Sequence, residues 1–354
     1  MKTPRPIVLV AAALAALALQ PLAARADLLQ ISDMFVFGDS LSDGGNSGLI
    51  TQAFTGDPSV VFPPPPYAGG RTSNGPTAVE HLWNLYNTDG GLQPSLAGGT
   101  NFAVGSATTG VENFNELNSN VPEALRPAFA DLGAASQLGQ FQAYAAANSF
   151  DPATSLFVVW LFPNDIFYFD TAGALPGTVP GSPGGDNVIA NGIANILTTI
   201  QILAAAGAQH FLVPNLANLA NTPAFAGTPL ADTLSDLSIA FNANLAAQLA
   251  LLDAMLTAEI TPFDTDALFQ DVLANPGAYG LTNTTGSCVD TLLGGGVCNP
   301  DEWLFWDGVH PTTAAHAIIA REFRRALSIA EPGTLALLGL GLLVIGLVHR
   351  RRRR

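Results

Sequence analysis

Basic residues are scarce in this sequence except at its two ends. The chain of 354 residues has 13 lysines and arginines against 28 aspartates and glutamates, which gives a formal net charge of −15. The long body between the ends holds only five of the basic residues: Arg71, Arg126, Arg321, Arg324 and Arg325. Because proteins bind nucleic acids largely through lysine and arginine contacts to phosphate, the acidic body excludes a nucleic-acid partner.

Cysteine is almost absent as well. The two cysteines, Cys288 and Cys298, flank a glycine-rich stretch, and no second Cys or His pair has the spacing of a zinc site, so no metal is expected. In an oxidising compartment, two cysteines this close in sequence favour a local disulfide. A bridge that closes so small a ring contributes about 3 kcal/mol and would brace the loop before Asp307.

Three further patterns are missing from the sequence. It has no internal repeat or heptad run, which argues against a structural matrix protein. No dinucleotide-binding glycine pattern follows an apolar run, so no organic cofactor is expected. The Gly-x-Ser-x-Gly pattern of ordinary α/β-hydrolases is also absent, so a serine enzyme with this sequence needs a different turn.

The N-terminus has the order of a secretory signal peptide. Lys2 and Arg5 precede an apolar run through Leu19, and residues 24–26 read Ala-Arg-Ala, a small-x-small cleavage pattern. We interpret residues 1–26 as a signal peptide, which implies export. The alternative is a hydrophobic N-terminal helix of the fold, which would not need this order of features.

The C-terminal residues, 331–354, have the order of a short membrane anchor. Glu-Pro-Gly at 331–333 is followed by an apolar stretch to Val348, then by His349 and five arginines. The stretch is shorter than the roughly 20 residues of a membrane helix, but terminal arginines can snorkel to the interface and favour the inner side. The alternative is a soluble core helix with a tail, although core helices are rarely apolar on every face.

Residues 27–330 are predicted to form one domain of the α/β class. Five short apolar runs are typical of buried parallel strands: residues 34–37, 101–104, 156–161, 211–213 and 260–263. Residues 188–206 and 234–258 between them have helical spacing. This alternation predicts a three-layer α/β/α sandwich on a mostly parallel, five-stranded sheet. The Pro- and Gly-rich stretches 57–75 and 173–185 are interpreted as surface loops near the site.

Three predicted strands are followed by residues that suit acyl chemistry. Ligands of open parallel sheets bind at the carboxyl ends of the strands. Ser40 follows the first strand in a glycine-flanked turn, Gly105 follows the second, and Asn164 follows the third. They offer a nucleophile and two donors for an oxyanion.

A serine hydroxyl needs a base within hydrogen-bond reach, and His310 is the candidate. Asp307 lies three residues before it, a spacing that lets the carboxylate orient the imidazole within one turn. The other histidines lie in the tail, in helical surroundings or at the start of a strand: His349, His81, His316 and His210. Ser40, Asp307 and His310 are therefore predicted to act together.

From about residue 33 to residue 327 the chain resembles the GDSL lipase/esterase family, also called SGNH hydrolases. The resemblance rests on Gly-Asp-Ser-Leu-Ser after the first strand and Asp-x-x-His near the end. The runs 70–75 and 298–312 also resemble the family's larger secreted branch. It implies a flavodoxin-like fold in which Ser40 attacks an ester carbonyl, His310 is base and then acid, and Asp307 orients it. It further implies an oxyanion hole made by Ser40, Gly105 and Asn164, with no cofactor.

Two positions depart from the family pattern. Phe162 stands where the third family block usually has glycine, which puts the aim of Asn164 in question. The usual Gly-Gly pair of the second block is Gly105-Ser106, so Gly105 is assigned as the donor by elimination. Neither change removes a predicted catalytic residue.

The tail resembles the PEP-CTERM sorting signal, with Ala330 in place of its first proline. The resemblance implies an exported protein of the periplasm, cell surface or medium. It also implies transient anchoring in the inner membrane and a dedicated sorting protease as a partner.

Two functional hypotheses follow. The first is an exported serine hydrolase of lipid, short-acyl or O-acetyl esters, acting through an acyl-serine intermediate on a lipid or an acylated carbohydrate. The second is a catalytically weak surface-binding protein that retains the hydrolase fold, motivated by Phe162 and the tail.

Overall fold

A computed structural model describes residues 30–87 and 90–328, and it is built on a parallel sheet. The predicted signal peptide and the C-terminal sorting segment lie outside the described residues. The strands run in the order β1 to β4, and all neighbouring pairs are parallel. Their bounds are β1 Met34–Gly38, β2 Leu156–Trp160, β3 His210–Pro214 and β4 Glu259–Phe263. These agree with four of the five apolar runs to within one residue at each end.

The fifth predicted strand, at residues 101–104, is an extended segment beside β1 rather than a regular strand. Phe102 N–H donates to the carbonyl of Val36 at 2.8 Å, and Val104 N–H donates to that of Gly38 at 3.2 Å. The pairing ends at Val104 because the chain turns there to place the following residues at the site. Five extended segments thus lie side by side, and four of them are strands.

Helices cover both faces of the sheet, which confirms the predicted α/β/α class. In the described residues the α-helices are α1 Asn46–Thr55, α2 Ala78–Tyr86, α3 Ala134–Ala147, α4 Pro163–Ala172, α5 Val188–Ala205, α6 Ala231–Asp253, α7 Thr265–Ala274, α8 Cys288–Leu293 and α9 Thr313–Leu327. The predicted helices at 188–206 and 234–258 correspond to α5 and α6. The helical surroundings predicted for His81 and His316 correspond to α2 and α9, and no bounds were predicted for the other helices.

The two faces of the sheet differ in what they bury. Alternate strand residues, among them Phe35 and Phe157, pack into one aromatic-rich core with α3, α5 and α6. On the opposite face, Phe323 of α9 packs edge-on against Trp160 of β2. Among the described residues, only α5 is long and apolar enough to cross a membrane, and 56% of it is buried inside the domain, as expected of a core helix.

A second, two-stranded sheet is formed by residues near the C-terminal end of the domain. It pairs β5 Asn283–Ser287 with β6 Trp303–Phe305 in parallel, and neither strand was predicted. No residue of β5 is fully buried, so the apolar pattern that marks the main strands is missing there. The small sheet positions the loop that follows β6.

Candidate active site

The carboxyl end of β1 presents Ser40 in a tight turn. A Cβ atom on Gly38 would lie 2.8 Å from that of Ser42, so the strand has to end in glycine. The Asp39 carboxylate accepts the N–H of Leu41 at 3.0 Å and closes the turn. Ser40 is 7% exposed and lines a cavity. The turn therefore holds this hydroxyl at the cavity wall.

Ser40, His310 and Asp307 form one hydrogen-bonded chain. His310 Nε2 lies 2.8 Å from Ser40 Oγ, and His310 Nδ1 lies 2.8 Å from Asp307 Oδ2. The main-chain N–H groups of Val309 and His310 also donate to Asp307 Oδ1, at 2.9 and 2.8 Å. The carboxylate and the imidazole are thus fixed within one turn, as the three-residue spacing predicted.

Burial and charge act in opposite directions on this pair. Burial lowers the pKa of His310, but the charge and hydrogen bond of Asp307 raise it, and the pKa ends above its ordinary value. Burial raises the pKa of Asp307, while His310 and the two main-chain N–H groups lower it, and the net direction is downward. The arrangement favours an ionised carboxylate beside an imidazole that can accept a second proton.

The structure corrects the prediction of Gly105 as an oxyanion donor. Its N–H donates to Asp43 Oδ2 at 2.8 Å and to Ser47 Oγ at 3.0 Å, and Gly105 is not among the residues that line the cavity. Ser106 does line it, in the left-handed region with φ 62°. Among the described residues, no hydrogen bond leaves the N–H of Ser106 or of Ser40. The main-chain N–H groups of Ser40 and Ser106 are therefore free to donate at the cavity.

Asn164 lies at the start of α4 and lines the same cavity. Its side-chain amide donates to the carbonyl of Ala107 at 3.2 Å and to Asp39 Oδ2 at 3.3 Å. Burial raises the pKa of Asp39 to about 7. Both bonds are long, so they orient the amide without holding it strongly.

Phe162 keeps a glycine-like backbone conformation before Asn164. It adopts φ 141°, a conformation in which glycine is ordinarily found, and it is fully buried. Its ring stacks on Phe241 with the centroids 3.7 Å apart, and it lies against Gly192 of α5. The turn before α4 thus keeps a glycine-like backbone, and this packing offsets the strain.

We expect Gly192→Ala to destabilise the protein by about 1–3 kcal/mol, the usual cost of overpacking. The added Cβ would lie 2.6 Å from Phe162 Cδ2. In a Phe162→Ala background this cost should largely disappear, which a double-mutant cycle in urea measures. Gly139→Ala in α3 is the matched control, because its Cβ would meet nothing within 4 Å and alanine favours a helix. An equal cost of Gly192→Ala in both backgrounds would contradict this account.

The loop at 57–75 holds the two halves of the site together, as its predicted position near the site suggests. Tyr67 Oη donates to Asp307 Oδ2 at 2.9 Å, and Thr72 Oγ1 donates to the carbonyl of Ser40 at 2.8 Å. Burial and the Asp307 charge raise the pKa of Tyr67, so the phenol stays protonated and keeps donating. The roles of Tyr67 and Thr72 were not predicted, since contacts across up to 240 positions leave no local pattern.

The same loop continues to the start of α9. Ser73 Oγ donates to the carbonyl of Pro311 at 2.9 Å, and Asn74 Oδ1 accepts the N–H of Thr313 at 2.9 Å. The run Gly-Arg-Thr-Ser-Asn-Gly at 70–75 carried part of the family resemblance. It was the one signal in the sequence that this loop contacts the site. The other predicted loop, 173–185, is not part of the cavity wall.

The two cysteines predicted to pair are joined in a disulfide, with their Cα atoms 5.5 Å apart. Next to Cys288, the N–H of Val289 donates to the carbonyl of Trp306 at 2.7 Å, and Trp306 N–H donates to the carbonyl of His310 at 2.7 Å. The bridged segment therefore braces the Asp307–His310 loop, as expected from its position in the sequence.

The cavity beside Ser40 measures about 840 Å³ and is lined mainly by apolar side chains. That size lies within the range of small-molecule sites. Over residues 30–87 and 90–328, no group of three or more His, Cys, Asp or Glu side chains lies close enough to hold a metal ion. His316 is an internal packing residue: burial lowers its pKa to about 3, and its Nδ1 accepts the N–H of Ala78.

Comparison with known proteins finds two family models along the chain. The model of the GDSL-like lipase/acylhydrolase family matches residues 34–323, and that of the PEP-CTERM protein-sorting motif matches residues 329–354. A GDSL esterase/lipase of Arabidopsis thaliana is 27% identical over 82% of this chain and 86% of its own length. Acetylajmalan esterase 2 of Rauvolfia serpentina is 30% identical over 81% of this chain and 88% of its own length.

Two bacterial relatives are longer proteins. The chain is 32% identical to an uncharacterised Pseudomonas putida protein from the trpE-trpG intergenic region and 28% identical to esterase EstA of Pseudomonas aeruginosa, over 82% of its own length in both cases. It spans 47% and 46% of their lengths, about half. Because the family model covers most of the chain, the chain belongs to the GDSL-like lipase/acylhydrolase family of ester hydrolases, and it carries the sorting motif of exported proteins.

Proposed function

We propose that the protein hydrolyses carboxylic esters through an acyl-serine intermediate on Ser40. One observation carries the proposal, the continuous path from Ser40 Oγ through His310 to Asp307 with both links at 2.8 Å. His310 Nε2 takes the hydroxyl proton as Ser40 Oγ attacks the ester carbonyl carbon. Asp307 orients the ring and stabilises the imidazolium that forms.

The negative charge that develops on the carbonyl oxygen needs donors at the cavity wall. The main-chain N–H groups of Ser40 and Ser106 and the side-chain amide of Asn164 would supply them. The hydrogen bonds that Asn164 donates to Asp39 and Ala107 are long. One of them can therefore be replaced by a hydrogen bond to the oxyanion.

The cycle closes with three proton transfers. The imidazolium of His310 gives its proton to the departing alkoxide, which leaves as the alcohol, and the acyl group stays on Ser40. A water molecule then attacks the acyl carbon while His310 accepts its proton, and the proton returns to Ser40 Oγ as the carboxylic acid leaves. In this cycle Ser40 is the first nucleophile, water is the second, and His310 carries each proton.

Export places this chemistry outside the cytoplasm. We propose that residues 1–26 are removed as a signal peptide, that residues 27–330 form the hydrolase domain, and that residues 331–354 anchor the chain in the inner membrane until a sorting protease recognises them. The sorting motif at 329–354 supports the last step. An ester in the periplasm, on the cell surface or in the medium is then the substrate.

The direct test is covalent labelling of the full-length protein with a fluorophosphonate, followed by peptide mapping. We expect one adduct, on Ser40, and we expect para-nitrophenyl acetate present during labelling to delay it. An adduct at another serine would contradict the proposed nucleophile. No adduct, together with no hydrolysis of para-nitrophenyl esters or acetylated polysaccharide, would favour the surface-binding protein.

A further inference from the structure

Ser106 carries a hydroxyl that the proposed mechanism does not use. It stands where the second family block usually has glycine, and its backbone adopts the left-handed region with φ 62°. That region costs a serine more than a glycine because of the Cβ atom. The residue is half-buried and lines the cavity beside Ser40. A side chain that brings strain to the cavity wall is a candidate for a part in the reaction.

The backbone around Ser106 is held by polar contacts. The carbonyl of Gly105 accepts the side-chain amide of Asn113 at 2.9 Å, and the carbonyl of Ser106 accepts the N–H of Phe114 at 2.9 Å. Among the described residues, no hydrogen bond involves the N–H or the hydroxyl of Ser106. Because Ser106 lines the cavity, both donors are free to bond a ligand there.

Ser40 and Ser106 lie at equivalent positions beyond two paired segments. The N–H of Val104 donates to the carbonyl of Gly38 at 3.2 Å, and each of these residues lies two positions before one of the serines. Neighbouring extended segments run about 5 Å apart. The chain therefore leaves the sheet at adjacent points and reaches the two serines side by side.

Asn164 joins the neighbours of both serines. Its side-chain amide donates to the carbonyl of Ala107, the residue after Ser106, at 3.2 Å. The same amide donates at 3.3 Å to Asp39 Oδ2, on the residue before Ser40. The nucleophile, the Asn164 amide and the free donors of Ser106 thus meet at one part of the cavity.

We propose that the Ser106 hydroxyl donates a hydrogen bond to the carbonyl oxygen of the ester as that oxygen gains negative charge. In a serine the hydroxyl oxygen and the main-chain nitrogen are linked through only Cα and Cβ, so both can donate to one acceptor. A donor placed where charge appears in the transition state lowers the barrier, and the hydroxyl keeps its proton throughout. The inference rests on the proposed function, because it needs Ser40 to attack an ester carbonyl.

The test compares two substitutions at this position in the full-length protein. Ser106→Ala removes the hydroxyl and keeps the Cβ atom, whereas Ser106→Gly also relieves the strain at φ 62°. We expect both to lower kcat/KM for para-nitrophenyl acetate roughly 10- to 100-fold, the range of one hydrogen bond to a charged group. Ser106→Gly should be at least as stable toward urea as the unmodified protein. Lower activity without lower stability separates a role in the reaction from a structural role.

Ser119→Ala is the matched control. Ser119 also lines the cavity, and within the described part of the chain no hydrogen bond joins it to the Ser40 turn or to Asn164. The substitution removes a hydroxyl from the same wall, away from the developing charge. It should keep kcat/KM within about twofold, as is usual for an exposed side chain.

Inhibition separates the transition state from the bound substrate. Trifluoroacetophenone adds to a nucleophilic serine and forms a charged tetrahedral oxygen, whereas acetophenone binds as the ketone. Transition-state analogues respond to the groups that stabilise the transition state. In Ser106→Ala we expect the Ki of trifluoroacetophenone to rise by the factor by which kcat/KM falls, and the Ki of acetophenone to stay unchanged.

Three results would overturn the role of the Ser106 hydroxyl. They are an unchanged kcat/KM in both Ser106 variants, an equal rise of both Ki values, and an activity loss in Ser106→Ala that Ser106→Gly restores. Each of them leaves the proposed function standing so long as Ser40→Ala abolishes hydrolysis. Hydrolysis retained in Ser40→Ala overturns the proposed function itself.

Discussion

Ser40→Ala is expected to lower kcat for para-nitrophenyl esters by about a million-fold, the loss seen when the nucleophile of a serine triad is removed. The substitution deletes the atom that forms the acyl bond and leaves His310 Nε2 without its partner at 2.8 Å. The fold should survive, because Ser40 Oγ bonds only to His310 among the described residues. Steady-state kinetics and circular dichroism on the same sample measure both effects.

Ser42→Ala is the matched control for this prediction. Ser42 lies in the same turn, and its Oγ is buried without a hydrogen-bond partner among the described residues. Removing an unpaired buried hydroxyl costs little, so this variant should keep its activity. Equal losses in Ser40→Ala and Ser42→Ala would mean that the turn matters only as structure.

Asp307→Asn is expected to lower kcat about ten-thousand-fold, the effect of the corresponding change in a serine triad. It should also shift the acidic limb of the pH profile of kcat/KM to lower pH. His310 must be neutral to accept a proton, so activity falls as the pH drops through its pKa. The Asp307 charge raises that pKa, and without the charge burial lowers it.

Tyr67→Phe is a milder change at the same carboxylate and serves as the comparison for Asp307→Asn. It removes one hydrogen bond to Asp307 Oδ2 and keeps the carboxylate charge and the bonds to His310. We expect a loss of about tenfold, matching one hydrogen bond to a charged group, with a much smaller shift of the acidic limb. An unshifted limb in Asp307→Asn would show that the Asp307 charge does not set the pKa of His310.

The main sheet was predictable because its strands are marked by apolar residues that are consecutive in the sequence. Each residue of β1 and β2 is buried, so these strands read as continuous apolar runs between polar segments. The pairing of Asp307 with His310 was predictable for the same reason, since three residues and one turn fix it. The small sheet was not, because β5 is held by its neighbours and not by an apolar pattern.

The remaining site residues depend on contacts that a sequence does not display. The Asp43 carboxylate, 62 positions away, accepts a hydrogen bond from the N–H of Gly105. This contact turns the Gly105 N–H away from the cavity and leaves the N–H of Ser106 there. From the sequence alone, Phe162 in place of the usual glycine indicates a damaged site. In the structure its backbone strain is offset by stacking on Phe241 and by the space left at Gly192, which has no Cβ. No local sequence motif predicts either contact.

The separation of Ser40 and His310 by 270 positions has a consequence for synthesis. A ribosome completes the nucleophile turn early and the general base only near the end of the domain. Every shorter nascent chain, and every fragment released by premature termination, carries a serine with no base to activate it. Under the proposed mechanism such products are inert toward the esters of the cell that makes them, and hydrolysis begins only when the segment that carries Asp307 and His310 has folded against the Ser40 turn.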